Sequence, residues 1–318
     1  MMSFLSGCLH KKKNYLEKKL FVPQSKCAQK TVDDCSTACP PATVTNPAVE
    51  QPMITVWIHG TKETMRILKH IRPVTRFFYT PYNVNPIETL DCSMHHRLIG
   101  ENLIEGDPFD FPRGHVYLFG WTGRLSFESR ENAACELRQG LDELIKKYQT
   151  EYGYTPKIRL ITHSHGGNVA LNLAAIKDNF STELSIEQLI MLACPVQDKT
   201  ECLVKDPMFK HVYSLYSTKD FLQIADAQGA YLSQKHKTKT LLSRRRFDPA
   251  PNLVQVKIKI NRRPISHIEF MLSRFVRLIP CIIKEINSWE NDPCAAPDTE
   301  LILAIYTHVY KHPHRLRS

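Results

Sequence analysis

The segment Ile158-Arg159-Leu160-Ile161-Thr162-His163-Ser164-His165-Gly166-Gly167-Asn168 constrains this chain more than any other. It places a β-run, a serine, a glycine pair and a helix-forming stretch in immediate succession. A strand that turns at once into a helix strains the corner residue and presses neighbouring backbones together, so small side chains are needed beside it. The chain has only 12 glycines, which gives a doublet at this corner weight.

The same rhythm runs along the rest of the chain. Strands are expected at Ile54–Ile58, residues 115–121, 157–162, 189–193 and 212–216, and Leu253–Ile260. Helices are expected at residues 65–71 and 166–176, and where Ala133, Leu137, Leu141, Leu144 and Tyr148 fall on one helical face. Met271, Phe275, Leu278, Ile282 and Ile286 trace another helix face, with a kink expected at Pro280. Residues 299–310 suggest a terminal helix. Strands alternating with helices imply an α/β fold with a doubly wound, mostly parallel sheet. Chemistry in such sheets sits at the carboxyl ends of the strands.

Residues 1–50 read as a basic, polar tail with Lys11-Lys12-Lys13 and one short helix at Tyr15–Phe21. The main domain spans residues 51–290. Within it, residues 72–114 carry Pro73, Pro81, Pro86, Pro108 and Pro112 and suggest an irregular, lid-like insertion. Residues 221–252 form a polar, basic connection, and residues 291–318 a C-terminal helix and tail. A composition of 42% hydrophobic and 23% charged residues over 318 positions excludes wholesale disorder, collagen and coiled coil. The richest apolar stretch, residues 275–286, is broken by Arg277, Pro280 and Lys284, short of the ~18 apolar residues of a membrane span.

A net charge of +10 suits acidic partners or simple solubility. Lys235, Lys237, Lys239 and Arg244-Arg245-Arg246 fit a solvated loop first, and peripheral contact with an anionic membrane second. No aromatic residues interleave with these charges, which disfavours nucleic acid. The ten cysteines are dispersed, as in a reduced, cytosolic-type protein. Cys27, Cys35 and Cys39 match no zinc spacing, and neither His95-His96 nor His308 with His312 and His314 completes a metal site. Leu5-Ser6-Gly7-Cys8 looks like a lipoprotein cleavage site but lacks the basic and apolar regions before it. The expected location is cytoplasmic or peripheral membrane, with anchoring through Cys8 the lesser alternative.

Thr162-His163-Ser164-His165-Gly166 resembles the nucleophile elbow of the α/β-hydrolase superfamily, especially its lipase-like serine esterases, with Thr162 in place of the first glycine. Ile58-His59-Gly60-Thr61 is similar to that superfamily's oxyanion loop, and the resemblance spans roughly residues 54–286. It implies Ser164 as nucleophile and the backbone N–H groups of Thr61 and His165 as oxyanion donors. His267, after the last strand, falls where the superfamily keeps its base. Asp220, after residues 212–216, falls where it keeps its acid. Asp198 is the alternative acid and Asp226 a poorer one. His59, Gly60, Trp121 and His163 are expected around the substrate. The implied chemistry is two-step acyl transfer on carboxylic esters, lipid esters foremost, with no metal or organic cofactor. A thioesterase or acyltransferase of the same fold, a non-catalytic binding protein that kept the fold, and a basic membrane-surface or nucleic-acid binder are the rivals.

Overall fold

The computed structural model describes residues 15–21, 51–61, 80–224, 244–291 and 300–307. These build one mixed sheet of ten strands: β1 (Tyr15–Phe21), β2 (Ile54–Ile58), β3 (Asn83–Pro86), β4 (Val116–Gly120), β5 (Ile158–His163), β6 (Ile186–Leu192), β7 (Phe209–Tyr216), β8 (Leu253–Ile260), β9 (Arg263–Pro264) and β10 (Glu300–Tyr306). Their order is β1-β10-β8-β7-β6-β5-β2-β4-β3, with β9 beside β8. Only β3 and β9 run antiparallel to their neighbours. The sheet is thus mostly parallel, and it is covered on both faces, as the α/β-hydrolase resemblance implies.

The strands sort their side chains by parity. In β2, Val56 and Ile58 join one apolar cluster while Trp57 joins the other. On the Val56 face lie helix α2 (Phe127–Tyr152), through Ala133, Leu137, Leu141 and Leu144, and helix α3 (Gly166–Ala175), through Val169 and Leu173. On the Trp57 face lie helix α1 (His95–Gly106), through Ile99 and Leu103, and helix α6 (Ile279–Glu290), through Ile282, Ile283 and Ile286. Strands buried on both faces are apolar at most positions, as β2 and β4 are; β5 is also buried throughout, and its buried Arg159 is satisfied by Gln188 and Asp110. Helix α2 runs further than its apolar stripe predicts. The Ser126 hydroxyl caps its start by accepting from Ser129 N–H at 3.1 Å, and Gly153, at φ 74°, ends it.

Four expectations change. Tyr15–Phe21 is a strand, not a helix, and pairs in parallel with β10 along its whole length. Residues 299–310 do not open a terminal helix, because Glu300–Tyr306 is β10, lying between β1 and β8. The described part of the 72–114 insertion is ordered structure rather than an irregular lid. It supplies edge strand β3, a 3₁₀ turn at Ile87–Thr89 and helix α1, whose Ile99 and Leu103 are in the core. Pro86 is tolerated there because β3 is at the edge of the sheet. Pro280 does not kink a continuous helix. The chain forms a 3₁₀ turn at Ile268–Met271 and a short helix α5 at Ser273–Val276, and Pro280 then sits in the first turn of α6. Its missing N–H costs nothing at that position. The expected helix at 65–71, the Cys27, Cys35 and Cys39 cluster, Cys8, Asp226, Lys235, Lys237, Lys239, His308, His312 and His314 lie outside the described residues. Among the described residues no helix is long and apolar enough to cross a membrane.

Candidate active site

Strand β5 ends at His163, and Ser164 follows with φ 53°. That left-handed conformation is costly for a residue with a Cβ, and the packing around the corner enforces it. Two glycines make the corner possible. A Cβ on Gly166 would sit 2.6 Å from the Ile58 carbonyl oxygen and 2.7 Å from that of His59. A Cβ on Gly167 would sit 2.5 Å from Cys194 Sγ. Thr162, standing where the resemblance expects glycine, is wholly buried at the end of β5 and turns its hydroxyl to the Ile190 carbonyl at 3.4 Å. Helix α3 begins at once, with His165 as its N-cap. The side chain of Asn168 ties the helix to the loop after β6, donating to the Pro195 carbonyl at 3.0 Å and accepting from the Thr200 hydroxyl at 2.5 Å.

The candidate acid and base meet. His267 Nδ1–H donates to Asp220 Oδ2 at 2.8 Å, across 47 residues of chain. Asp220 is fully buried and lies past the end of β7. Its other carboxylate oxygen accepts from Gln223 N–H at 2.9 Å. Arg245 donates to the Asp220 backbone carbonyl at 2.9 Å and to that of Thr218 at 3.3 Å. The partner of His267 is therefore Asp220. Asp198 instead begins the short helix α4 (Asp198–Glu201). The His267 loop is fixed by Glu269, whose Oε2 accepts from Ser266 N–H at 2.7 Å and from the Ser266 hydroxyl at 2.8 Å.

Ser164 connects to this pair through His163. The His163 and His267 rings lie 4.6 Å apart, and His163 Nε2–H donates to the His267 carbonyl at 3.2 Å. Among the described residues no hydrogen bond joins the Ser164 hydroxyl to His267 directly. Such bonds are commonly long without substrate and tighten in the reacting complex.

The candidate oxyanion loop is held just as firmly. The Trp121 backbone N–H donates to His59 Nε2 at 3.2 Å, so Nε2 is an acceptor and the ring proton sits on Nδ1. His59 Nδ1–H then donates to the Gly60 carbonyl at 2.6 Å. A trans peptide points its C=O and N–H in opposite directions, so this bond also orients the Thr61 N–H. Trp121 is buried, stacks on His59 at 5.7 Å, and its indole N–H donates to the His59 carbonyl at 2.8 Å. The His59 and Trp121 side chains are engaged in holding this loop. Gly60 is needed for close approach, since a Cβ there would lie 2.8 Å from Ser164 Cβ.

The imidazoles around the serine are kept neutral. Burial, and then the neighbouring His267, pushes the His163 pKa well below its ordinary value. Burial, and then Arg130, does the same to His165. Burial lowers His95 to about 4. Among the described residues no group of three or more His, Cys, Asp or Glu is arranged to hold a metal. Three apolar side chains next in sequence to Asp220 and His267 are exposed, Phe221 at 70%, Leu222 at 48% and Ile268 at 58%, alongside the exposed polar residues Thr218 and Lys219.

Some supporting residues were not expected in that role. Arg245, read as part of a solvated loop, and Gln223, in the polar 221–252 connection, both hold Asp220. Arg244 and Arg246 are also engaged, with Glu201 and Asp248 and with Glu300 respectively. The Glu269 clamp was legible, because Ser266-His267-Ile268-Glu269 has the spacing of a capping box.

No protein-family model matches the chain, and no curated protein matches it. Solved structures do. Carboxyl esterase 2 from the mycorrhizal fungus Tuber melanosporum is 10% identical with a TM-score of 0.33, covering 81% of this chain and 69% of that one. An esterase from Pyrobaculum calidifontis is 10% identical with a TM-score of 0.29, over 80% of this chain and 68% of that one. Another structure, of the hyperthermophilic esterase from that archaeon, is 12% identical with a TM-score of 0.29, over 81% and 68%. Likeness at this level says nothing about chemistry or substrate.

Proposed function

We propose that this chain is a serine hydrolase of carboxylic esters, with Ser164 as nucleophile, His267 as base and Asp220 as the orienting acid. The observation that carries the proposal is a buried carboxylate bonded to His267 Nδ1 beside a serine held at φ 53°. Asp220 keeps the proton of His267 on Nδ1 and leaves Nε2 to accept one. Ser164 Oγ attacks the ester carbonyl as its proton passes to His267 Nε2. The oxyanion is stabilised by the Thr61 and His165 N–H groups, the latter at the start of α3, where the helix dipole helps. Collapse breaks the C–O bond, and His267 returns the proton to the departing alcohol. Water then cleaves the acyl-enzyme by the same steps in reverse order of roles.

The substrate within this reading is an ester with a sizeable apolar part, such as a lipid ester. Phe221 and Leu222 directly follow the acid and Ile268 directly follows the base, and all three are exposed. Apolar surface beside a polar reaction centre favours a substrate that covers it.

Labelling with a fluorophosphonate probe tests the proposal. Wild type should label, while Ser164→Ala and His267→Ala should not. Hydrolysis should then rise from short to longer acyl chains. Folded wild type that stays unlabelled, with and without anionic vesicles, would sink the hydrolase reading. Labelling with no preference for longer chains would sink only the apolar-substrate part.

A further inference from the structure

His163 has no role in the acyl-transfer steps above, yet it borders both His267 and the loop at Gly60. Its ring is buried, at 3% exposure. A carbonyl oxygen can only accept, so the 3.2 Å contact with the His267 carbonyl places the ring proton on Nε2. The His267 ring lies 4.6 Å away at 56°. The other nitrogen, Nδ1, faces the oxyanion loop: a Cβ on Gly60 would lie 3.3 Å from it. The same residue is joined by one peptide bond to Ser164. The ring therefore fills the gap between the segments that carry nucleophile, base and oxyanion loop.

We propose that His163 is a positioning residue that sets the separation of Ser164 and His267, by donating Nε2–H to the His267 carbonyl and packing its ring against the His267 ring. This rests on the roles proposed above for those two residues. The Cβ–Cγ bond and the Asp220 bond hold the ring along one edge, about which it can still tilt. The His163 ring packs against it and limits that tilt, and the bond to the His267 carbonyl holds the backbone that carries the ring. Reacting groups displaced by about 1 Å lose on the order of 10²-fold in rate. Burial keeps His163 neutral, which places no like charge beside the imidazolium that forms on His267.

The test uses the full chain and a p-nitrophenyl butyrate assay, with active serines counted by fluorophosphonate titration. His163→Phe keeps the bulk and removes the donor. It should lower kcat per active serine about 10- to 100-fold and leave KM within about twofold. His163→Gln places an amide N–H where Nε2 was and should recover most of the loss. Should the Phe variant fail to fold, His163→Asn, too short to reach the carbonyl, takes its place. Imidazole ¹⁵N NMR, assigned by difference against His163→Gln, should show His163 protonated on Nε2 alone at pH 6. Wild-type kcat in His163→Phe, a Gln variant no better than Phe, or an Nδ1–H tautomer would each overturn the proposal. Wild type that neither hydrolyses the ester nor labels would defeat the hydrolase reading instead, and the NMR tautomer would still report on the His163 bond.

Discussion

Asp220 is held at its carboxylate by His267 and Gln223 and at its backbone by Arg245. It is fully buried, so a change of charge there acts on its hydrogen-bond partners with little solvent screening. Asp220→Asn keeps the shape and removes the charge. It should lower kcat on the order of 10³- to 10⁴-fold with little change in the urea midpoint, measured by steady-state kinetics and denaturation on one preparation. A drop of less than tenfold would mean that Asp220 does not orient the base. At this scale the sequence spoke most clearly on position: Ser164 stands at a strand-to-helix corner, Asp220 follows one strand and His267 another, the places the family resemblance pointed to. It read Arg245 as part of a solvated loop and His163 as a neighbour of the substrate, and gave no sign of the bonds they make to Asp220 and His267, because nothing local tells a buried, bonded side chain from a solvated one.

The elbow is an element whose shape is set by what it lacks. Gly166 passes so close to the Ile58 and His59 carbonyls that a methyl group cannot fit without moving backbone. Gly166→Ala should cost about 1–3 kcal/mol of stability by overpacking, read from urea denaturation, and should lower kcat by shifting the oxyanion loop. A variant with unchanged stability and activity would show that the corner yields easily. Strand β10 makes the opposite point, since it is defined by what covers it. Leu303 is fully buried between β8 and β1. Leu303→Ala should cost about 2–5 kcal/mol in the same measurement. Both β10 and β1 were expected as helices. Leu301, Ile302, Leu303, Ala304 and Ile305 form a continuous apolar run, whose periodicity cannot separate a buried strand from a buried helix. The short, charged stretch at β1 becomes a strand because β10 offers it an edge, and that edge is contributed by the far end of the chain.

The molecule as a whole buries several imidazoles in their neutral form, and this sets its response to acid. His95, His163 and His165 all have folded pKa values below the ordinary one. Each therefore contributes stability that is present above an unfolded value of about 6.5 and lost as pH falls toward the folded value. The unfolded chain takes up these protons first, so acid favours unfolding. The urea midpoint should fall steadily from pH 7 to pH 5, and His95→Leu should flatten that fall by removing one of the contributors. A midpoint independent of pH over that range would contradict the buried, neutral state of these rings. The sequence by itself determined the α/β alternation and the strand-to-helix corner at Ser164, because apolar periodicity and corner chemistry are local and written in adjacent residues; the expected order Ser, Asp, His came from the family resemblance. The tertiary structure alone decided that both ends of the described chain lie side by side in the sheet, that the proline-rich insertion contributes to the core, and that Asp220 rather than Asp198 meets His267. Those outcomes depend on pairing and burial between residues far apart in sequence, which no local pattern records.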